Sequence, residues 1–103
     1  SREIRIKIGV DEFKAHGESV IERLKTVVDQ QPDWSLVPNN YEGIRVACSA
    51  PEEDGWFLLR LSLHDPVLPL NVESNVEGGV TKVTERLLKF FNTVDSLDLS
   101  AFS

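Results

Sequence analysis

The chain has 103 residues, 41% of them hydrophobic and 27% charged, with 17 acidic against 11 basic residues and a formal charge of -6. That is the profile of one globular domain, and its acidic balance argues against a nucleic-acid or anionic-membrane partner, both of which need a basic surface. A single cysteine excludes an internal disulfide framework and a cysteine zinc cage, and no apolar run approaches the ~20 residues of a bilayer span.

Residues 2 to 8 alternate strictly, with Ile4, Ile6 and Ile8 on one face and Arg5 and Lys7 on the other, as a half-buried strand does. Residues 18 to 30 carry a helical stripe of Val20, Ile21, Leu24, Val27 and Val28. Gly17 is expected to separate this helix from a polar lead-in at Asp11 to His16, and Pro32 to stop it. Residues 32 to 43, with two prolines and a glycine, are expected to form a loop.

Ile44, Val46 and Cys48 alternate with Arg45 and Ala47 as a second strand, in which Cys48 is a small core residue. Pro51 to Gly55 is turn chemistry, so the acidic run Glu52-Glu53-Asp54 reads as a solvated hairpin tip. Trp56 to Ser62 is a nearly continuous apolar strand, suited to a central place. Its Phe57, Leu59 and Leu61 are expected to join Ile44 and Val46 on the covered face.

A fourth strand runs from Val67 to Glu73, with Leu68, Leu70 and Val72 on one face. Pro69 lacks a ladder donor and marks an edge or a bulge. Ser74 or Asn75 can cap a second helix, with a stripe at Val76, Val80, Val83, Leu87 and Phe90. Gly78 and Gly79 read as a loose helix start rather than an anion site. Residues 93 to 103 form a polar tail that either frays or packs as one short turn, so the domain proper is 1 to 92.

The order β-α-β-β-β-α implies an α+β fold, a four-stranded and mainly antiparallel sheet with two helices on one face. There is no serine elbow, P-loop, HExxH or GxGxxG motif. His16 and His64 are the only imidazoles and lack metal-ligand spacing, so no metal or cofactor is expected in this chain. One stretch can carry chemistry. Arg60 and Ser62 share a face at a strand end that leads into a loop closed by Pro66. A guanidinium fork, a hydroxyl and loop N–H groups suit a phosphate or carboxylate. Alternatively, Arg60 pairs with an acid such as Asp65, and Ser62 and Asp65 only build the turn.

The run Asn40-Tyr-Glu-Gly-Ile-Arg-Val46, then Asp54-Gly-Trp56, then Arg60-x-Ser62-x-x-x-Pro66 and a strand ending in Glu73 resembles the C-terminal domain of the α-D-phosphohexomutases. These are the phosphoglucomutases, phosphomannomutases and phosphoglucosamine mutases. The wording is most similar to the plant phosphoglucosamine-mutase-like branch. The resemblance spans about residues 3 to 91. It implies a TATA-binding-protein-like fold and a domain that grips the non-transferring phosphate of a hexose phosphate. It also implies a Mg²⁺-dependent parent, acting through a phosphoserine, whose serine and DxDxD loops lie outside this chain.

Arg60, Ser62 and Pro66 match the family's phosphate loop, and His64 stands at its Thr position as the third phosphate contact. Asp65 stands where the family has Glu, Leu63 where it has Gly or Asn, and Asn71 where some members have Arg. The chain has no methionine, even at position 1, which is expected of a piece of a longer protein. One cysteine and no leader pattern suggest a reducing interior, cytosolic or plastidic. The alternative reading is the same scaffold in a non-catalytic regulatory, ligand-sensing or interaction role.

Overall fold

The computed structural model describes residues 1–38 and 42–103. Strand β1 (Arg2–Ile8) leads into helix α1 (Phe13–Asp29), followed by strands β2 (Trp34–Val37), β3 (Gly43–Cys48), β4 (Gly55–Arg60) and β5 (Val67–Ser74). Helix α2 (Gly79–Phe91), strand β6 (Leu97–Asp98) and a 3₁₀ turn (Ser100–Phe102) complete the chain. The fold is α+β. Among the described residues the sheet has six strands, in the order β2-β3-β4-β5-β1-β6, and every pairing is antiparallel.

The four expected strands form the centre of this sheet as β3-β4-β5-β1, and two short strands extend its edges. β2 corrects the expected loop at 32 to 43, of which residues 39–41 lie outside the described residues. It pairs with β3 from Trp34↔Cys48 to Val37↔Arg45. Its prolines, Pro32 and Pro38, flank the strand and leave its ladder intact. β6 corrects the expected four-strand limit at the other edge, where Leu97 pairs with Ile8 and Asp98 with Lys7. The tail is anchored there: Val94 is buried, Phe102 packs 5.8 Å from the Phe91 ring, and Arg2 donates to the carbonyls of Ala101 and Phe102.

One face of the sheet carries the core. Ile4, Ile6 and Ile8, then Ile44, Val46 and Cys48, then Phe57, Leu59 and Leu61, then Leu68, Leu70 and Val72 are all buried against both helices. The expectation that the covered face holds Phe57, Leu59 and Leu61 is met. Helix α1 contributes Val20, Ile21, Leu24 and Val28, and α2 contributes Val83, Leu87, Phe90 and Phe91. No helix among the described residues is long and apolar enough to cross a membrane.

Two glycines read as punctuation are packing sites. Helix α1 begins at Phe13 and runs straight through Gly17, which is buried, and a Cβ there would come within 2.5 Å of Leu61 Cδ1. The absent side chain lets α1 lie close on the sheet, and this outweighs the cost of about 1 kcal/mol that glycine carries within a helix. Helix α2 starts at Gly79, later than expected, with Gly78 as its N-cap in the left-handed region at φ 78°. A Cβ on Gly79 would collide with the Ser74 hydroxyl. Ser74 does not cap the helix. Its hydroxyl accepts from the Val76 N–H at 3.1 Å and donates to the Glu53 carbonyl, so it ties β5 to the β3–β4 turn.

Pro69 is neither at an edge nor in a bulge: β5 runs between β4 and β1. The alternation of an antiparallel ladder explains how this is tolerated. The Ile8 N–H donates to the Pro66 carbonyl at 2.8 Å, which makes Pro66↔Ile8 a hydrogen-bonded position on the β1 side. Three residues on, Pro69 faces Arg5 at a non-bonded position, so its missing N–H points toward β4. The β4–β5 ladder ends there, its last pair being Leu59↔Leu70. In the same register Arg60 faces Pro69, and the Ser62 N–H then donates to the Val67 carbonyl at 3.3 Å, so the two strands stay together up to the loop.

Candidate functional site

A cavity of about 460 Å³ lies on the helix-free face of the sheet, at the end of β4 beside Pro69. Arg60, Ser62 and His64 line it together, with Arg5, Glu42 and Asp65. Each is positioned by a local cause. Leu59 is fully buried, so the next residue on β4, Arg60, turns to the opposite face. Gly43 lies opposite Arg60 in the β3–β4 register, at φ 139°. A Cβ there would collide with the Leu59 carbonyl, so this crossing admits only glycine in its present form.

The loop after Arg60 is held by its own hydrogen bonds. Ser62 Oγ accepts from the Asp65 N–H at 3.2 Å, the Ser62 N–H donates to the Val67 carbonyl at 3.3 Å, and the Val67 N–H donates to the Asp65 carbonyl at 2.7 Å. Ser62 therefore builds the turn, as one of the two sequence readings holds. Its hydroxyl proton is not used by the Asp65 bond, so the side chain keeps a donor for a second partner. His64 is exposed on the loop beside Leu63, which is 50% exposed. An imidazole at that position can donate as either neutral tautomer and gains a charge on protonation.

A second polar cluster was not legible in the sequence. Glu53 was expected at a solvated hairpin tip, yet it is buried. It accepts from Trp34 Nε1 at 2.9 Å and from Arg86 Nη1 at 2.9 and 2.8 Å. Arg86, from the exposed edge of the α2 stripe, also donates to Asp33 at 2.9 and 3.1 Å and to Gln31 at 3.1 Å, and its guanidinium lies 4.0 Å from the centroid of the Trp34 ring. The hydrogen bond from Arg86 holds the Asp33 carboxyl below its usual range. Burial opposes the charge on Arg86, but its bonds to Asp33 and Glu53 prevail and hold its pKa above the ordinary value.

This cluster joins the end of α1, the edge strand β2, the β3–β4 turn and α2. Every charge in it has a partner within the protein, so it serves the fold rather than a ligand. Only the glutamate itself hinted at it, two residues before the Gly that starts β4, and its partner lies far along the chain. Cys48 belongs to the neighbouring core. Burial first, and then the charge of Glu53, push its thiol up to about 12, so it stays protonated and is no nucleophile at neutral pH.

Among the described residues no group of three or more His, Cys, Asp and Glu side chains is placed to hold a metal ion. The Asn40-Tyr41 start of the family-like motif lies outside the described residues. The chain matches no protein-family model and no curated protein.

Proposed function

We propose that this chain is the substrate-phosphate-binding domain of a phosphohexomutase, holding the non-transferring phosphate of a hexose phosphate while other domains of the parent carry the phosphoserine and Mg²⁺ chemistry. One observation carries the reading: Arg60, Ser62 and His64, singled out from the sequence as a phosphate loop, line one cavity. The composition of that cavity supports a phosphosugar over a bare anion. Arginines suit the phosphate, and the carboxylates of Glu42 and Asp65 suit sugar hydroxyl protons. The four central strands with two helices on one face accord with a TATA-binding-protein-like domain. An acidic chain with one buried thiol fits a reducing compartment, cytosolic or plastidic, and neither nucleic acid nor membrane belongs to this reading.

The test is titration of the chain with a hexose 6-phosphate, read by phosphorus NMR. Millimolar binding is expected, about -4 kcal/mol, because a closed cleft in the parent would supply the remaining contacts. Arg60→Ala and Ser62→Ala should each weaken it. The chain alone should not isomerise a hexose 1-phosphate with the 1,6-bisphosphate and Mg²⁺ present. Micromolar affinity would instead favour a ligand-sensing module that acts by itself, and no binding would remove the reading.

A further inference from the structure

The cavity holds a cation that the phosphate-loop pattern does not contain. Arg5 lies on β1, at the other end of the chain, and lines the same space as Arg60. The register explains the meeting. Arg5 is opposite Pro69 on β5, and continuing the β4–β5 register one step past Leu59↔Leu70 places Arg60 opposite the same proline. Arg5, Pro69 and Arg60 thus form one row across three strands, on the face away from the helices. Two strand spacings separate the arginine backbones, roughly 10 Å. A guanidinium arm from each side can span half of that, over the buried ring of Pro69.

We propose that Arg5 is the second guanidinium of this site, clamping a phosphate dianion with Arg60 above Pro69. The inference rests on the proposed function, of which it names a further binding residue. Charge balance supports it. Glu42 and Asp65 also line the cavity, so Arg60 alone would leave a net negative lining that repels a dianion. Arg5 restores neutrality. Two forks can together engage the terminal oxygens of one phosphate, which keep lone pairs to accept from the Ser62 hydroxyl as well.

Lys7 provides the control. It lies two residues further along β1, on the same side and with the same charge, but opposite Val67 and Asp98 and outside the cavity. Titrations with inorganic phosphate and with a hexose 6-phosphate, at fixed ionic strength, are expected to show Arg5→Ala weakening both by about tenfold or more, as loss of a charge-assisted contact does. Lys7→Ala should change them less than about twofold, since an exposed charge acts only through a screened field. Arg5→Lys should recover part of the loss, because it keeps the charge and forfeits the fork. If Arg60→Ala and Ser62→Ala weaken binding while Arg5→Ala behaves like Lys7→Ala, the role of Arg5 is overturned and the phosphate site stands. If the unaltered chain binds neither ligand, the site itself is overturned, and Arg5 with it.

Discussion

Removing Arg86 should cost this fold more than removing any other surface-reaching charge. The Glu53 side chain is 3% exposed and Arg86 27%. Among the described residues, two of the three hydrogen bonds to the Glu53 carboxylate come from Arg86, and the third from Trp34. Arg86→Ala leaves a buried carboxylate with one N–H donor, and breaking such a pair costs about 3–5 kcal/mol. For a domain of this size each kcal/mol moves Tm by about 4–8 °C, so a fall of at least ~12 °C is expected. Urea unfolding followed by tryptophan fluorescence, with Trp34 buried in the cluster, measures the loss. The decisive comparison adds Glu53→Gln. If the penalty arises from an uncompensated charge, the double variant is more stable than Arg86→Ala alone, because the amide has no charge to strand. A double variant less stable than Arg86→Ala would refute the reasoning and show that the guanidinium acts by packing on Trp34.

Three further outcomes follow from the same geometry. Asp33 has its pKa lowered by Arg86, so it stabilises the fold above its ordinary value of 3.8, and that stability is lost as pH falls through the depressed folded value. Asp33→Asn should therefore flatten the acid limb of the stability–pH curve below about pH 5 and change nothing in its slope between pH 6 and 8. Leu59→Ala, at a fully buried position in the central strand, should cost about 2–5 kcal/mol in urea unfolding; a loss under about 0.5 kcal/mol would mean that this side of β4 is not core. Cys48, its thiol pushed up to about 12, should resist a disulfide reagent at pH 8 in the native chain and react promptly in denaturant. Rapid native labelling would contradict its burial.

Much of the fold was legible because its signals are local. The alternation at Ile4, Ile6 and Ile8 and the stripe from Val20 to Val28 are periods that a strand and a helix impose on any short stretch, and both faces were assigned as the structure has them. What escaped the sequence was decided by contacts between distant segments. β2 has four residues and owes its place to Trp34 over Phe57, with ring centroids 5.1 Å apart. β6 has two residues and exists because β1 leaves an edge to pair. Gly17 signals a break in any local reading, and only the approach of Leu61 shows why it sits within a helix. Glu53 looked solvated because its sequence neighbours are acids, whereas its partners come from β2 and α2.

The candidate site divides along the same line. Arg60 and Ser62 are two residues apart on a strand end, and that spacing alone put them on one face before any fold was known. Arg5 could not be joined to them in this way, because its neighbourhood depends on β5 lying between β4 and β1. Pro69 is the residue that lies between Arg5 and Arg60. Its missing N–H points toward β4, so the ladder lacks that bond beside Arg60, and Pro69 lines the cavity there. Its opposite side pairs with β1 at a non-bonded position, which costs no hydrogen bond and sets Arg5 at the cavity's edge. A proline that reads as an edge marker in the sequence thus lies inside the sheet, in the row that brings the two arginines to one cavity.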